Sequence, residues 1–266
     1  MDLIFLGTGN AHVTECYNTC FALRENGRIF LIDTGGGSGI LHQPKYSGVD
    51  WREIHDIFIT HKHVDHLLGA IWLIREFYTG ITEGVYEGDV TFYGHDEVIT
   101  LLRDIAFQLL PRKETRMFDD RIRFKVVADG QTRTIIGKET TFFDIVSIKA
   151  KQFGFSLDLG GGERFVCCGD EPCRAEAQRY AENSAWMLHE AFCLYSQVEH
   201  FKPYERHHST VKDACELAER IGVRNLILYH TEDENMRDRK RLYTEEGQKY
   251  FTGNLYVPDD LERIEL

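Results

Sequence analysis

Thr60-His61-Lys62-His63-Val64-Asp65-His66 packs three imidazoles and a carboxylate into one short stretch. The apolar run Ile57-Phe58-Ile59 precedes it and Leu67-Leu68-Gly69-Ala70-Ile71-Trp72 follows. That order reads as strand, turn and helix. His61 and His63, two apart on an extended turn, can point the same way. Asp65 and His66 fall at the helix start and can face a second point. Such a geometry suits two metal ions a few ångströms apart. Imidazole and carboxylate donors favour zinc, with iron or manganese as alternatives. A surface histidine cluster is the competing reading.

His-x-His-x-Asp-His after a strand resembles the signature of the metallo-β-lactamase superfamily, and further motifs agree in order along the chain. Phe5-Leu6-Gly7-Thr8-Gly9-Asn10-Ala11 resembles the N-terminal Gly-Thr-Gly strand and turn of the ribonuclease Z-like branch. Phe30-Leu31-Ile32-Asp33-Thr34-Gly35 resembles the superfamily's strand ending in Asp-x-Gly. Cys168-Gly169-Asp170 resembles the Gly-Asp that supplies a bridging carboxylate. Leu188-His189-Glu190-Ala191 and His208-Ser209-Thr210 resemble the branch's His-Glu-Ala segment and His-Ser-Thr turn. Leu228-Tyr229-His230 resembles the strand that ends on the last metal histidine. The resemblance implies an α/β fold, the αββα four-layer sandwich. It implies metal ligands His61, His63, Asp65, His66, Asp170 and His230, and catalytic positions Asp65, His208 and Glu190. It also implies a homodimer, since relatives of the branch are commonly dimers.

One departure stands out. The related enzymes carry a further metal histidine a few residues before a Gly-aromatic pair in mid-chain. Here the matching stretch, Ser147-Ile148-Lys149-Ala150-Lys151-Gln152-Phe153-Gly154-Phe155, has none. The ion assigned to His61 and His63 therefore lacks its usual third imidazole. A water, Gln152 or another side chain is left to substitute, and the nearby lysines would repel a cation.

The bulk properties bound the rest. A chain of 266 residues with 42% hydrophobic content can bury a full core, and the interleaved motifs suggest one domain over 1–266. A formal net charge of -12 disfavours nonspecific nucleic-acid binding and points to a small-molecule substrate. No run of about eighteen apolar residues suggests a membrane span. The seven cysteines show no Cys-x-x-Cys spacing, and with no secretory signal the expected compartment is the cytoplasm. Strands are expected at Leu3 to Leu6, Thr19 to Leu23 and Ile29 to Ile32, with Asn26-Gly27 as a hairpin turn. Helices are expected over 66–78, 96–110, 210–221 and 237–251. Strand runs with helices after each half suit two face-to-face sheets flanked by helices.

Two adjacent divalent cations lower the pKa of a shared water to near neutrality and create a hydroxide nucleophile. Asp170 is placed to bridge them, or else it caps a helix starting near Glu171-Pro172. His230 ends a strand and can reach an edge site. Asp33 is expected to accept a hydrogen bond from a ligand histidine, or to be a plain turn aspartate. His208 can protonate the leaving oxygen and Glu190 can orient it. The bland alternatives are a helix-cap neighbour and a solvated carboxylate. His189 reads as core, and His12, His42, His55 and His207 as surface. Arg237, Arg239, Lys240 and Arg241 read as a solvated helix face, or as a phosphate clamp over the site.

These residues suit a metal-dependent hydrolase, most plausibly of a phosphodiester. Ribonuclease Z grips tRNA with a long arm after the mid-chain histidine motif, and the stretch between Phe155 and Val166 is too short for one. A small phosphodiester such as a cyclic nucleotide fits better. Hydrolysis of a carboxylic ester, lactone or thioester is the alternative, since fold alone does not set the reaction. Di-iron redox chemistry lacks its usual glutamate at His63. A non-catalytic metal-binding protein is the remaining alternative.

Overall fold

Fourteen strands form from the apolar runs, and a computed structural model describes them across residues 1–266. The chain divides into two compact units. The first comprises Met1–Gly7, Tyr17–Val127 and Asp260–Leu266, and the second Thr8–Cys16 and Ala128–Asp259.

The first unit is built on strands β1 (Asp2–Gly7), β2 (Cys20–Glu25), β3 (Arg28–Ile32), β4 (Ile54–Phe58), β5 (Val90–Gly94) and β6 (Ile122–Val126). They pair in that order, and the strand Arg263–Glu265 closes the β1 edge. β1, β2 and β3 run antiparallel, whereas β3 to β6 are parallel neighbours. The β2–β3 turn is the expected Asn26-Gly27 hairpin, with φ of 50° and 71°. Left-handed φ at both central residues matches the twist of the flanking strands. Parallel strands need crossovers, and helices supply them. Gly69–Glu83 buries Ala70, Ile71, Leu73, Ile74 and Phe77 along one face, a 3.6-residue periodicity. Asp96–Leu109 does the same with Val98, Ile99, Leu102 and Ala106. These faces pack with Ile4, Leu31, Ile57 and Phe92 in one core.

The second unit holds β7 (Gln131–Ile135), β8 (Lys138–Asp144), β9 (Phe153–Gly160), β10 (Glu163–Cys167), β11 (Trp186–Glu190), β12 (Asn225–Tyr229) and β13 (Asn254–Tyr256). Again half the sheet is antiparallel, β7 to β10, and half parallel, β10 to β13. Gly160, Gly161 and Gly162 all have positive φ and turn β9 tightly into β10. No arm is inserted there. The helix Val211–Arg220 buries Val211, Ala214, Cys215, Leu217 and Ala218. Thr210 opens it with a capping box: its hydroxyl accepts from Asp213 N, and Asp213 Oδ2 accepts from Thr210 N at 2.9 Å.

Two helix boundaries differ from expectation. The helix after the histidine turn is two pieces, Val64–Leu67 and Gly69–Glu83, and runs beyond residue 78. The charged helix is shorter, Arg239–Gly247. Its expected first residues, 237 and 238, form a turn instead, where Asp238 N donates to Asn235 O at 2.8 Å. No helix is long and apolar enough to cross a membrane. All seven cysteines are free thiols.

Candidate metal centre and proton-handling pair

In each unit the candidate residues follow the carboxyl ends of the parallel strands, where open α/β sheets present ligand sites. In the first unit Asp33 follows β3 and Thr60 to His66 follow β4. His63 sits at the N-cap of the short helix Val64–Leu67, with Asp65 in its first turn. Asp33, at φ 54°, binds this turn from the side. Its Oδ1 accepts from Thr60 N and its Oδ2 from Thr60 Oγ1, both at 2.8 Å. Asp33 Oδ2 also lies 2.7 Å from His66 Nδ1. That contact suits a proton on Nδ1 and leaves the Nε2 lone pair free to serve a metal, the arrangement a carboxylate behind a ligand histidine produces. Burial raises the Asp33 pKa, while His66 and Thr60 pull it back.

The main chain locks the same turn. Thr34 N and Oγ1 both donate to His66 O, at 2.9 and 2.8 Å. A Cβ at position 69 would collide with Thr34 O, so glycine lets the helix approach. His61 Nε2 and His63 Nδ1 are 2.8 Å apart, and Asp65 Oδ2 is 3.3 Å from His66 Nε2. His61, Asp65 and His66 are buried and His63 is half-buried.

In the second unit β10 runs into Cys168-Gly169-Asp170. Gly169 has φ 80° and its carbonyl accepts from Tyr229 Oη at 2.8 Å. Gln152 Nε2 donates to Asp170 Oδ1 at 2.5 Å, and Asp170 Oδ2 is 3.6 Å from His230 Nε2. His230 follows β12 in a left-handed conformation, φ 56°. Its neighbour Thr231 bridges to Gly9 and accepts at Oγ1 from Arg239 Nη1 at 2.7 Å.

Glu190 ends β11, fully buried. Its Oε1 accepts from Ser209 N, and its Oε2 is 3.4 Å from His208 Nδ1. Phe192 stacks on the His208 ring, centroids 5.0 Å apart at 10°. The rings of His208 and His230 lie 5.4 Å apart. Lys149 Nζ approaches His208 Nε2 at 3.2 Å. Burial opposes a charge on His208, yet Glu190 and then Asp170 outweigh it, and the pKa lies above the ordinary histidine value.

The model of the anti-Pycsar protein Apyc1 family matches residues 1–253. The chain belongs to that family. Ribonuclease Z of Pyrococcus abyssi is 26% identical, covering 99% of this chain and 95% of the relative. The metallo-β-lactamase fold protein YhfI of Bacillus subtilis superposes with a TM-score of 0.80 at 16% identity, covering 100% of this chain and 99% of the other. Human tRNase Z, short form, does so with a TM-score of 0.71 at 21% identity and the same coverage. This Apyc1-family chain thus has the metallo-β-lactamase αββα fold and is a ribonuclease Z-like hydrolase of the metal-dependent kind.

Several readings of single residues are now decided. Asp33 does accept from a histidine, His66. Asp170 caps no helix, because the next one starts at Ala175 behind Arg174. His189 is a core residue: its Nε2 accepts from Cys173 N at 3.2 Å and its Nδ1 meets Glu190 O at 2.7 Å. Burial holds its pKa below the ordinary value. Arg239 is neither a solvated residue nor a phosphate clamp. It is fully buried, and donates to Thr8, Thr231, Pro258 O and Asp259. Phe192 and the Lys149–His208 contact are what sequence reasoning missed. The lysine stood in the stretch that lacks the histidine, but only as a charge unfavourable to metal.

The donor set of this Apyc1-family chain fits divalent transition metals. It offers imidazoles and carboxylates that are buried or nearly so, and His66 and Asp170 are held in place by Asp33 and Gln152.

Proposed function

We propose that the protein hydrolyses a phosphodiester with the help of divalent transition-metal ions, zinc foremost. The residues that would hold such ions are His61, His63, Asp65 and His66 in the first unit and Asp170 and His230 in the second. Asp170 would be the carboxylate shared by a pair of ions. Bound ions of this kind bring the pKa of a water toward neutrality and offset negative charge on the phosphoryl oxygens. The chain's own part is to orient and to move a proton. His208, backed by Glu190 at Nδ1, donates from Nε2 to the leaving oxygen. Glu190 is itself fixed by Ser209 N, so the imidazole keeps one orientation.

The observation that carries this reading is the buried Glu190–His208 pair beside His230, with 3.4 Å between carboxylate and imidazole. Alkoxide leaving groups of phosphodiesters need such a proton donor. The tight β9–β10 turn and the net charge of -12 favour a small diester over a folded RNA. Charge alone does not dismiss RNA, however, because the curated relatives are ribonucleases Z by name. RNA therefore belongs in the test.

Elemental analysis should find one to two transition-metal ions per chain. Turnover should then be measured on bis(p-nitrophenyl) phosphate, cyclic mononucleotides, a short RNA, a lactone and a thioester. We expect phosphodiester cleavage that a chelator abolishes and added metal restores. Turnover confined to the lactone or thioester would replace this reading, and cleavage of RNA alone would remove the small-substrate part.

A further inference from the structure

The stretch that lacks the mid-chain histidine is not a vacant loop. Ser147 Oγ donates to Glu171 Oε1 at 2.5 Å and Ile148 N to Glu171 Oε2 at 3.3 Å. Ser147 Oγ in turn accepts from Lys149 N and Ala150 N, each at 3.3 Å. Glu171 is buried and directly follows Asp170. Residues 147–150 are thus fastened to the neighbour of a proposed metal ligand. Their one cation beside the proton-handling pair is Lys149, whose Nζ stands 3.2 Å from His208 Nε2.

We infer that Lys149 is a substrate-binding residue that holds an anionic oxygen of the phosphodiester beside His208, which rests on the phosphodiester reading above. His208 Nδ1 faces Glu190, so Nε2 is the nitrogen left to meet substrate. Lys149 meets the same nitrogen. A group positioned to receive a proton from Nε2 therefore arrives within reach of the ammonium as well. An ammonium has three donors, and an anionic oxygen is a better acceptor for one of them than an imidazole nitrogen. Lys149 is an exposed residue, while the backbone that carries it is tied down. A chain with net charge -12 repels a phosphate at long range, and a local cation at the reacting group offsets this. A neutral ester gains nothing from that cation. Lys149 accordingly biases the site toward anionic substrates, and it takes no part in proton transfer.

The test uses the metal-loaded protein and the variants Lys149→Met and Lys149→Arg. Calorimetry reads binding of inorganic phosphate, and kinetics compare anionic bis(p-nitrophenyl) phosphate with neutral p-nitrophenyl acetate. Losing a charge-assisted hydrogen bond corresponds to about 10- to 100-fold. Lys149→Met should weaken phosphate binding and raise the KM for the diester by that factor. Its metal content should stay unchanged and its turnover of the acetate should fall far less than that of the diester, because a neutral ester loses no charge-assisted contact. Lys149→Arg should recover most of the phosphate affinity. Unchanged phosphate affinity in Lys149→Met overturns the inference, as does equal loss on the neutral ester. If the wild-type protein cleaves no phosphodiester, the functional reading fails by itself. Phosphate binding still judges Lys149: a loss in Lys149→Met keeps it as an anion site, and no loss removes it.

Discussion

Gln152 donates its side-chain amide to Asp170 Oδ1 at 2.5 Å, with both residues buried. The amide stands in the segment where related enzymes carry a metal histidine. It gives its hydrogen to a proposed metal ligand and orients that carboxylate. Removing such an outer partner costs about 10- to 100-fold in metal affinity. Gln152→Leu should therefore weaken metal binding by that factor. Gln152→His puts an imidazole in the segment where related enzymes carry one, and should tighten metal binding. Chelator titration checks both. We expect two steps in the wild-type protein, with the weaker one moving in opposite directions in the two variants. A single step for two equivalent ions in the wild type would contradict the assignment.

His208→Ala should slow turnover by about 100- to 10,000-fold with metal content unchanged. The loss should shrink for nitrophenyl leaving groups, which need little protonation. Glu190→Gln should show the same pattern more mildly, since Glu190 acts only through the imidazole. Loss of metal in His208→Ala, or equal slowing of good and poor leaving groups, would make His208 a ligand or a structural residue.

Arg239→Met should lower stability by at least about 2 kcal/mol, because it leaves buried acceptors without their donor. Those acceptors are Thr8 Oγ1, Thr231 Oγ1 and Pro258 O. Urea unfolding reads this as a lower midpoint with an unchanged slope. A variant of wild-type stability but weak phosphate binding would revive the clamp that the burial of Arg239 argues against.

Asp2 ties β1 to both of its neighbours. It accepts from Arg24 at 3.0 Å and pairs with Arg263 at 2.5 Å. Partial burial alone would raise its pKa, but the two arginines outweigh burial and hold it below the usual carboxylate range. A pKa lowered by folding means the pairing stabilises the fold above the unfolded value, about 4. That stabilisation is lost as pH falls through the folded value. Asp2→Asn should cost about 1 kcal/mol at pH 7 and progressively less in acid. Urea unfolding at about pH 7 and about pH 3.5 compares the two regimes on either side of that value. A difference that grows in acid would reverse the sign of the argument.

Much of the site was legible because its residues sit next to strong local signals. The histidine turn follows β4, and His230 ends a strand whose bounds the apolar run Leu226-Ile227-Leu228-Tyr229 marks in the sequence. Asp33 was only half legible, because an Asp between a strand and a glycine run serves equally as a plain turn residue, and the contact with His66 decides it. Other features were hidden for physical reasons. Arg239 lies in a run of basic residues, and only tertiary burial separates it from Arg241, which pairs with Asp238 and Glu245 on the surface. The stacking of Phe192 on His208 and the reach of Lys149 to it join residues far apart in sequence, and no periodicity encodes either. The break at Leu68 escaped notice because Leu67 and Leu68 continue an apolar pattern. The close packing of Gly69 on Thr34 is visible only in three dimensions.

The strand Arg263–Glu265 pairs with β1 in the register Leu3↔Ile264. A ribosome must therefore deliver the entire second unit before the first can finish its sheet. Until then β1 exposes an open edge, a template for pairing with another chain. Closing so long a loop is slow compared with forming the local hairpin β2–β3. During synthesis the N-terminal strand therefore keeps an unpaired edge until the strand Arg263–Glu265 has been made.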